Sequence, residues 1–143
     1  MFMGEYNHTV DTKGRLIVPS KFRDQLGDEF VVTKGLDGCL FVYPSEEWKA
    51  IEEKFRSVSQ FSQENRKFAR FFFAGATTCE VDKQGRILLA SNLKSYANLD
   101  KDVVIIGQSS YIEIWSAENW NAYNNQDEIN LDELVTGLSE YGL

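Results

Sequence analysis

Two stretches of this chain, 71 positions apart, are variants of one another. DTKGRLIVPSKF (residues 11–22) recurs as DKQGRILLASNL (residues 82–93), matching Asp11 to Asp82, Gly14 to Gly85, Arg15 to Arg86 and Ser20 to Ser91. After a slip of one position, CLFVYPSEEW (39–48) aligns with YIEIWSAENW (111–120), so Trp48 matches Trp120 and Tyr43 matches Trp115. Two blocks in the same order and at similar separation mark a tandem duplication of a unit of roughly 60–70 residues. The 143 residues leave room for two such copies and little else. The expected division is a first repeat over 1–60, a connecting helix over 61–75 and a second repeat over 76–143.

Within each copy the pattern is mixed, so the fold class expected is α+β. Glu5–Val10 and Thr77–Val81 read as strands from their β-branched and aromatic content. The Asp-x-x-Gly-Arg segments supply turn chemistry, because Asp bonds back to the backbone and Gly accepts positive φ. Leu16–Val18 and Ile87–Leu89 are continuous apolar runs, expected as buried strands leaving the turn. Ser20 and Ser91 are expected to cap short helices over SKFRDQL and SNLKSYA. Phe30–Lys34, Cys39–Tyr43, Val103–Ile106 and Tyr111–Trp115 read as further strands. Pro44-Ser45-Glu46-Glu47 and Ser116-Ala117-Glu118 each open a helix, with acidic residues where the dipole favours them.

Between the copies, Gln63–Ala74 forms one more helix. Phe61, Phe68, Phe71 and Phe72 are expected on one face, with Arg66, Lys67 and Arg70 elsewhere. Aromatics interleaved with bases resemble a nucleic-acid stacking platform. A core or subunit-contact stripe with a solvated basic flank explains them better. That helix is expected to pack the two copies together.

Several functions are poorly served by these residues. His8 is the only histidine, which denies the chain the usual Cys/His zinc sets and leaves a Ser-His-Asp triad without a nucleophile motif near it. No enzyme, metal, cofactor or small-molecule substrate is expected. Cys39 and Cys79 belong to no CxxC pair and read as half-buried strand cysteines of a cytosolic protein. No apolar run approaches the roughly 20 residues of a membrane span, and the start lacks the features of a secretory signal.

The duplicated Asp-x-x-Gly-Arg box holds the chemistry. A salt-bridged turn explains Asp and Gly well, but a turn has no need of guanidinium. Arg15 and Arg86, beside Lys13 and Lys83, point to a paired cationic edge suited to phosphate or to the O6/N7 edge of guanine. The readings are compatible, with Asp11 and Asp82 orienting the arginines. Lys21 and Arg23 follow on the first short helix and Lys94 on the second. The net charge of −7 stands against a uniformly basic binder, yet it is unevenly placed. Residues 116–143 hold six acids and no Lys or Arg, whereas Lys13–Arg23 hold four cations and no acid. That acidic end is expected away from the loops, where it would repel wrong contacts.

MGEYNHTVDTKGRLIVPSKF, the second box DKQGRILLASNL and the lengths between them resemble the MraZ family of bacterial proteins, itself similar to AbrB-like domains present twice in one chain. The resemblance covers essentially all of residues 1–143. One departure is Ala90, where the first copy has Pro19 and the family often has Pro; it bears on the stiffness of the strand-to-helix exit. The resemblance implies two swapped-hairpin β-barrel units with flanking helices, Asp-x-x-x-Arg loops on one face and ring-like homo-oligomers. It implies a cytoplasmic, nucleoid-associated transcriptional regulator that binds short direct repeats in double-stranded DNA upstream of its own division and cell-wall gene cluster. Asp11, Arg15, Asp82 and Arg86 fall on the family's box; Lys13, Lys21, Arg23, Lys83 and Lys94 join them on charge and proximity alone. Two other readings use the same residues: an oligomeric protein-interaction scaffold built on Trp48, Trp120, Phe61 and Phe71-Phe72-Phe73, and the antidote half of a toxin–antidote pair. An ordered acidic end and a duplicated unit suit the antidote reading less.

Overall fold

The computed structural model describes residues 1–125, 131–138 and 141–142. The first copy runs β1 (Glu5–Thr9), β2 (Arg15–Ile17), α1 (Ser20–Leu26), β3 (Glu29–Lys34), β4 (Leu40–Pro44) and α2 (Ser45–Arg56). Helix α3 (Gln63–Ala74) follows. The second copy then repeats the order as β5 (Thr77–Glu80), β6 (Arg86–Leu88), α4 (Ser91–Tyr96), β7 (Asp102–Gly107), β8 (Ile112–Ser116) and α5 (Ala117–Asn124). Helix α6 (Leu131–Leu138) comes last. The fold is α+β and duplicated, as the sequence implies.

The copies are not laid side by side; they exchange strands. The six-stranded antiparallel sheet has the order β1-β7-β8-β4-β3-β5, so the first copy's β1 pairs with the second copy's β7, and β5 pairs back with β3. The remaining pair, β2 with β6, forms a separate two-stranded ribbon. Its register sets Leu16 opposite Ile87, its own counterpart in the duplication. In the same way Phe41 on β4 lies opposite its counterpart Glu113 on β8. A residue that faces its own equivalent sits on a two-fold axis, so an internal pseudo-two-fold passes through both pairs. Bonds across the axis keep it: Val18 N–H donates to Gly85 O, and Leu89 N–H to Gly14 O, each at 2.9 Å.

The main core lies between ribbon, sheet and short helices. Leu16, Ile87, Phe22, Leu93, Phe30 and Leu40 are all essentially inaccessible there. The outer face of the sheet carries a second, aromatic cluster, in which Phe41, Tyr43 and Trp115 meet α2, α3 and α5. Helix α3 begins where expected, with Ser62 capping Asn65 N–H at 3.2 Å. Phe72 is its buried residue, stacked on Trp48, Phe55 and Phe68, while Thr33 Oγ1 donates to Phe72 O at 2.6 Å. Phe71 reaches the second copy edge-on at Tyr96, whose hydroxyl donates to Gly35 O at 2.6 Å. The helix therefore touches both copies, but strand exchange does most of the joining.

Four expectations need correction. Ser20 and Ser91 are the first residues inside their helices rather than caps; Pro19 and Ala90 hold the cap positions, with no side-chain cap bond. Pro19 (φ −50°, ψ 134°) and Ala90 (φ −64°, ψ 146°) adopt the same extended geometry, so the strand-to-helix exit does not depend on the ring. Phe61 precedes α3 and is 96% exposed, so it does not share the stripe of Phe68 and Phe72. The apolar runs 16–18 and 87–89 are not buried throughout, because a strand sends alternate side chains to opposite faces. Leu16, Val18, Ile87 and Leu89 point inward, whereas Ile17 and Leu88 are exposed. Both cysteines are free; Cys39 is buried just before β4 and Cys79 is half-buried in β5. Of the acidic C-terminal residues, Asp127, Glu128 and Glu140 lie outside the described residues.

Candidate nucleic-acid interface

Each box folds into a tight turn organised by its aspartate. Asp11 Oδ1 accepts from the backbone N–H of Lys13 (3.0 Å) and Arg15 (2.8 Å), and Oδ2 accepts from Arg15 Nε at 2.7 Å. Asp82 repeats the arrangement with Gln84 N–H (2.8 Å), Arg86 N–H (2.9 Å) and Arg86 Nε (2.9 Å). Gly14 and Gly85 close the turns at φ +81° and +78°, a conformation that disfavours any side chain. These donors, the Arg15 and Arg86 backbone N–H first among them, hold the Asp11 and Asp82 carboxyls below the ordinary carboxylate range.

That geometry fixes the arginines without consuming them. A guanidinium has five N–H donors, and here the aspartate takes only the one on Nε. Among the described residues no hydrogen bond engages the Nη groups of Arg15 or Arg86. Each arginine side chain is partly exposed, 32% for Arg15 and 26% for Arg86, with its stem held by the aspartate. The duplicated salt bridge is exposed and contributes little to stability on its own. Its effect is orientation.

The ribbon places the two forks together. Arg15 lies opposite Leu88 and Ile17 opposite Arg86. Arg15 and Arg86 are therefore diagonal neighbours on the outer face, about 7–8 Å apart as such pairs are in an antiparallel ribbon. Ile17 and Leu88 complete that face and are 47% and 65% exposed. Sequence reasoning missed these two apolar members, although strict alternation from Arg15 and Arg86 predicts them.

The flanking cations are shared across the axis. A Cβ added to Gly85 would run into the Arg23 guanidinium, and one added to Gly14 would lie 2.9 Å from Lys94 Nζ. Arg23 from the first copy thus covers the second copy's turn, and Lys94 from the second covers the first. The sequence groups Arg23 with its own loop; strand exchange gives it to the other. Lys13 and Lys83 stand exposed on the turns, and Lys21 stands exposed on α1. Beside the first turn an open cleft of about 480 Å³ is lined by Lys13, Lys94, Ser91, Leu88 and the outer edge of β5. Among the described residues no group of His, Cys, Asp and Glu is arranged to hold a metal ion, and no helix is long and apolar enough to cross a membrane.

Comparison with known proteins agrees with the duplication. The MraZ protein family model, whose description adds the words "antitoxin-like", matches twice, over residues 1–71 and 72–137. The chain is 56% identical to the transcriptional regulator MraZ of Desulforamulus reducens, covering 96% of this chain and 97% of that one. It is 58% identical to the protein of the same name from Lachnoclostridium phytofermentans, covering 100% and 99%. It is also 62% identical to that from Desulfitobacterium hafniense over 90% of each chain. A twice-matched model spanning nearly the whole sequence, and full-length relatives at more than half identity, show that the chain belongs to the MraZ family.

Proposed function

We propose that this chain is a transcriptional regulator that binds double-stranded DNA through the outer face of the β2–β6 ribbon. The observation that carries the reading is the pair of aspartate-held arginines, Arg15 and Arg86, set diagonally on the outer face of the ribbon and partly exposed. An arginine fork presented in this way suits the O6/N7 edge of guanine, which accepts two parallel hydrogen bonds. A separation of about 7–8 Å is close to two base steps of 3.4 Å, so both arginines address one short box. Ile17 and Leu88 beside them suit the thymine methyl. Lys13, Lys83, Lys21, Arg23 and Lys94 ring that face and take phosphates, while Asp11 and Asp82 act through the arginines. The relatives carry the name of a regulator and not of an enzyme, which agrees with this use of the site.

The finer parts of the reading follow from multivalency. One ribbon makes few contacts, so affinity for direct repeats comes from a homo-oligomer that docks several ribbons on successive boxes. In this account residues 1–60 and 76–143 are the paired reading units, and 61–75 the helix that braces them. The target is a repeat array upstream of a division and cell-wall gene cluster, and the protein works in the cytoplasm on the nucleoid.

The test is a gel shift of repeat-bearing and scrambled duplexes at two salt concentrations. Arg15→Ala with Arg86→Ala should cost about 1–3 kcal/mol per engaged arginine and erase the preference for the repeat. Lys21→Ala should weaken both duplexes alike and lower the salt slope by about 0.9. Unchanged repeat affinity in the folded double variant would rule the assignment out.

A further inference from the structure

We infer that the cleft between β5 and the β6–α4 exit binds a small sugar-like phosphate monoester, which competes with DNA for Lys13 and Lys94. The competition rests on the DNA reading above; the binding does not. The cleft holds about 480 Å³, within the roughly 300–1,000 Å³ of small-molecule sites. It is lined by Thr77–Glu80 of β5, by Leu88–Ser91 of the exit, and by Lys13 and Lys94. Strand β5 is the last in the six-stranded sheet, so among the described residues its outer side pairs with no strand. An antiparallel strand turns the N–H and C=O of every second residue outward, and such an edge can both give and take hydrogen bonds.

The duplication shows why this corner differs from its equivalent across the axis. By the offset of 71, Thr77 matches Tyr6, Leu93 matches Phe22, Lys94 matches Arg23 and Lys13 matches Gln84. On the Tyr6 side the tyrosine ring packs edge-on against Phe22, centroids 5.1 Å apart, and fills the space between strand and helix. Thr77 has no ring to reach Leu93, and the cleft opens on that side. Charge differs as well: the cleft has two lysines, whereas the Tyr6 side has Arg23 and the neutral Gln84. Two ammonium groups match a phosphate monoester, which carries about −1.5 to −2 near pH 7 against a single charge on each DNA phosphate. Thr77, Thr78 and Ser91 add hydroxyls suited to those of a sugar. Glu80, the one carboxylate in the lining, accepts from a ligand hydroxyl and repels a second phosphate. Lys94 Nζ lies over the first turn, 2.9 Å from where a Gly14 Cβ would be. An anion in the cleft therefore draws on a cation that the turn presents to DNA.

The experiment titrates the full-length protein, without DNA, with glucose 1-phosphate at constant ionic strength and follows the amide resonances. Saturable shifts should appear at Thr77–Glu80, Lys13 and Lys94. Inorganic phosphate and methyl glucoside, each alone, should bind about tenfold more weakly or worse. Thr77→Tyr and Lys13→Gln copy the residues found across the axis, and each should weaken glucose 1-phosphate about tenfold. Both positions are exposed, and an otherwise unchanged spectrum checks the fold. In a gel shift, glucose 1-phosphate at about ten times its Kd should weaken DNA binding by the wild type about tenfold. Thr77→Tyr should bind DNA as the wild type does and ignore the ligand. The inference is overturned by the absence of saturable shifts at β5, by inorganic phosphate binding equally well, or by full binding in either variant. A saturated cleft with DNA binding unchanged overturns the competition. A wild type that binds no DNA sinks the proposed function, while the titration still decides the site.

Discussion

At the residue scale, the Asp–Arg pair is a device for aiming a side chain. Three donors converge on each aspartate, so the arginine stem is fixed before any ligand arrives, and less rotamer freedom is lost on binding. The same donors make the turns acid-sensitive in a defined window. With folded pKa values below the unfolded value near 3.8, the Asp11 and Asp82 turns are fully held above that value and loosen only as pH falls through the lowered ones. Carbon-13 titration of the two side-chain carboxyls should give midpoints below 3.8, with the turns unchanged at pH 5. Gly85→Ala should cost about 1–2 kcal/mol for a left-handed alanine, and it also displaces Arg23. Thermal melting with a gel shift at fixed salt checks both effects. The box itself was legible in the sequence, because Asp, Gly and Arg recur at fixed spacing and each has a local task. The partnership of Arg23 with Gly85 was not, since it depends on which strands pair 62 positions apart.

At the element scale, three-residue strands decide what is presented. Leu16 and Ile87 anchor the ribbon in the core, and their neighbours Arg15, Ile17, Arg86 and Leu88 must then face out. An apolar run alone does not distinguish a strand buried on both faces from one that exposes every second residue. That is why the apolar run alone points Ile17 and Leu88 to the interior. Helix α3 was easier, because a phenylalanine period is a local signal. Its role was harder: only Phe72 is fully buried, and Phe61 lies outside the helix altogether. Phe72→Ala should destabilise the fold by about 3–5 kcal/mol, because it removes a ring stacked on Trp48, Phe55 and Phe68. Phe61→Ala should leave the urea midpoint nearly unchanged. Chemical denaturation of the two variants side by side tests the contrast.

At the scale of the whole molecule, strand exchange makes the halves interdependent. Residues 1–75 alone lack the partner for β1, and 76–143 alone lack the partner for β5. Produced separately, the halves should each give poorly dispersed amide spectra. Mixed, they should recover the native spectrum. The intact chain should unfold in one transition, not two. The duplication was plain from sequence, whereas the exchange was not, because two alignable blocks look the same whether they pair within copies or between them.

The pseudo-two-fold axis through Leu16 and Ile87 has one more consequence. A true homodimer of single-copy chains is identical on its two sides, so it gains nothing from lying one way round on its site instead of the other. Here one chain supplies both sides, and substitution has already separated them: Lys13 faces Gln84 in the comparison of the turns, and Arg23 faces Lys94 on the helices. Under the proposed function, a DNA-binding face with unequal ends has a head and a tail. Head and tail are what a row of sites all pointing the same way requires.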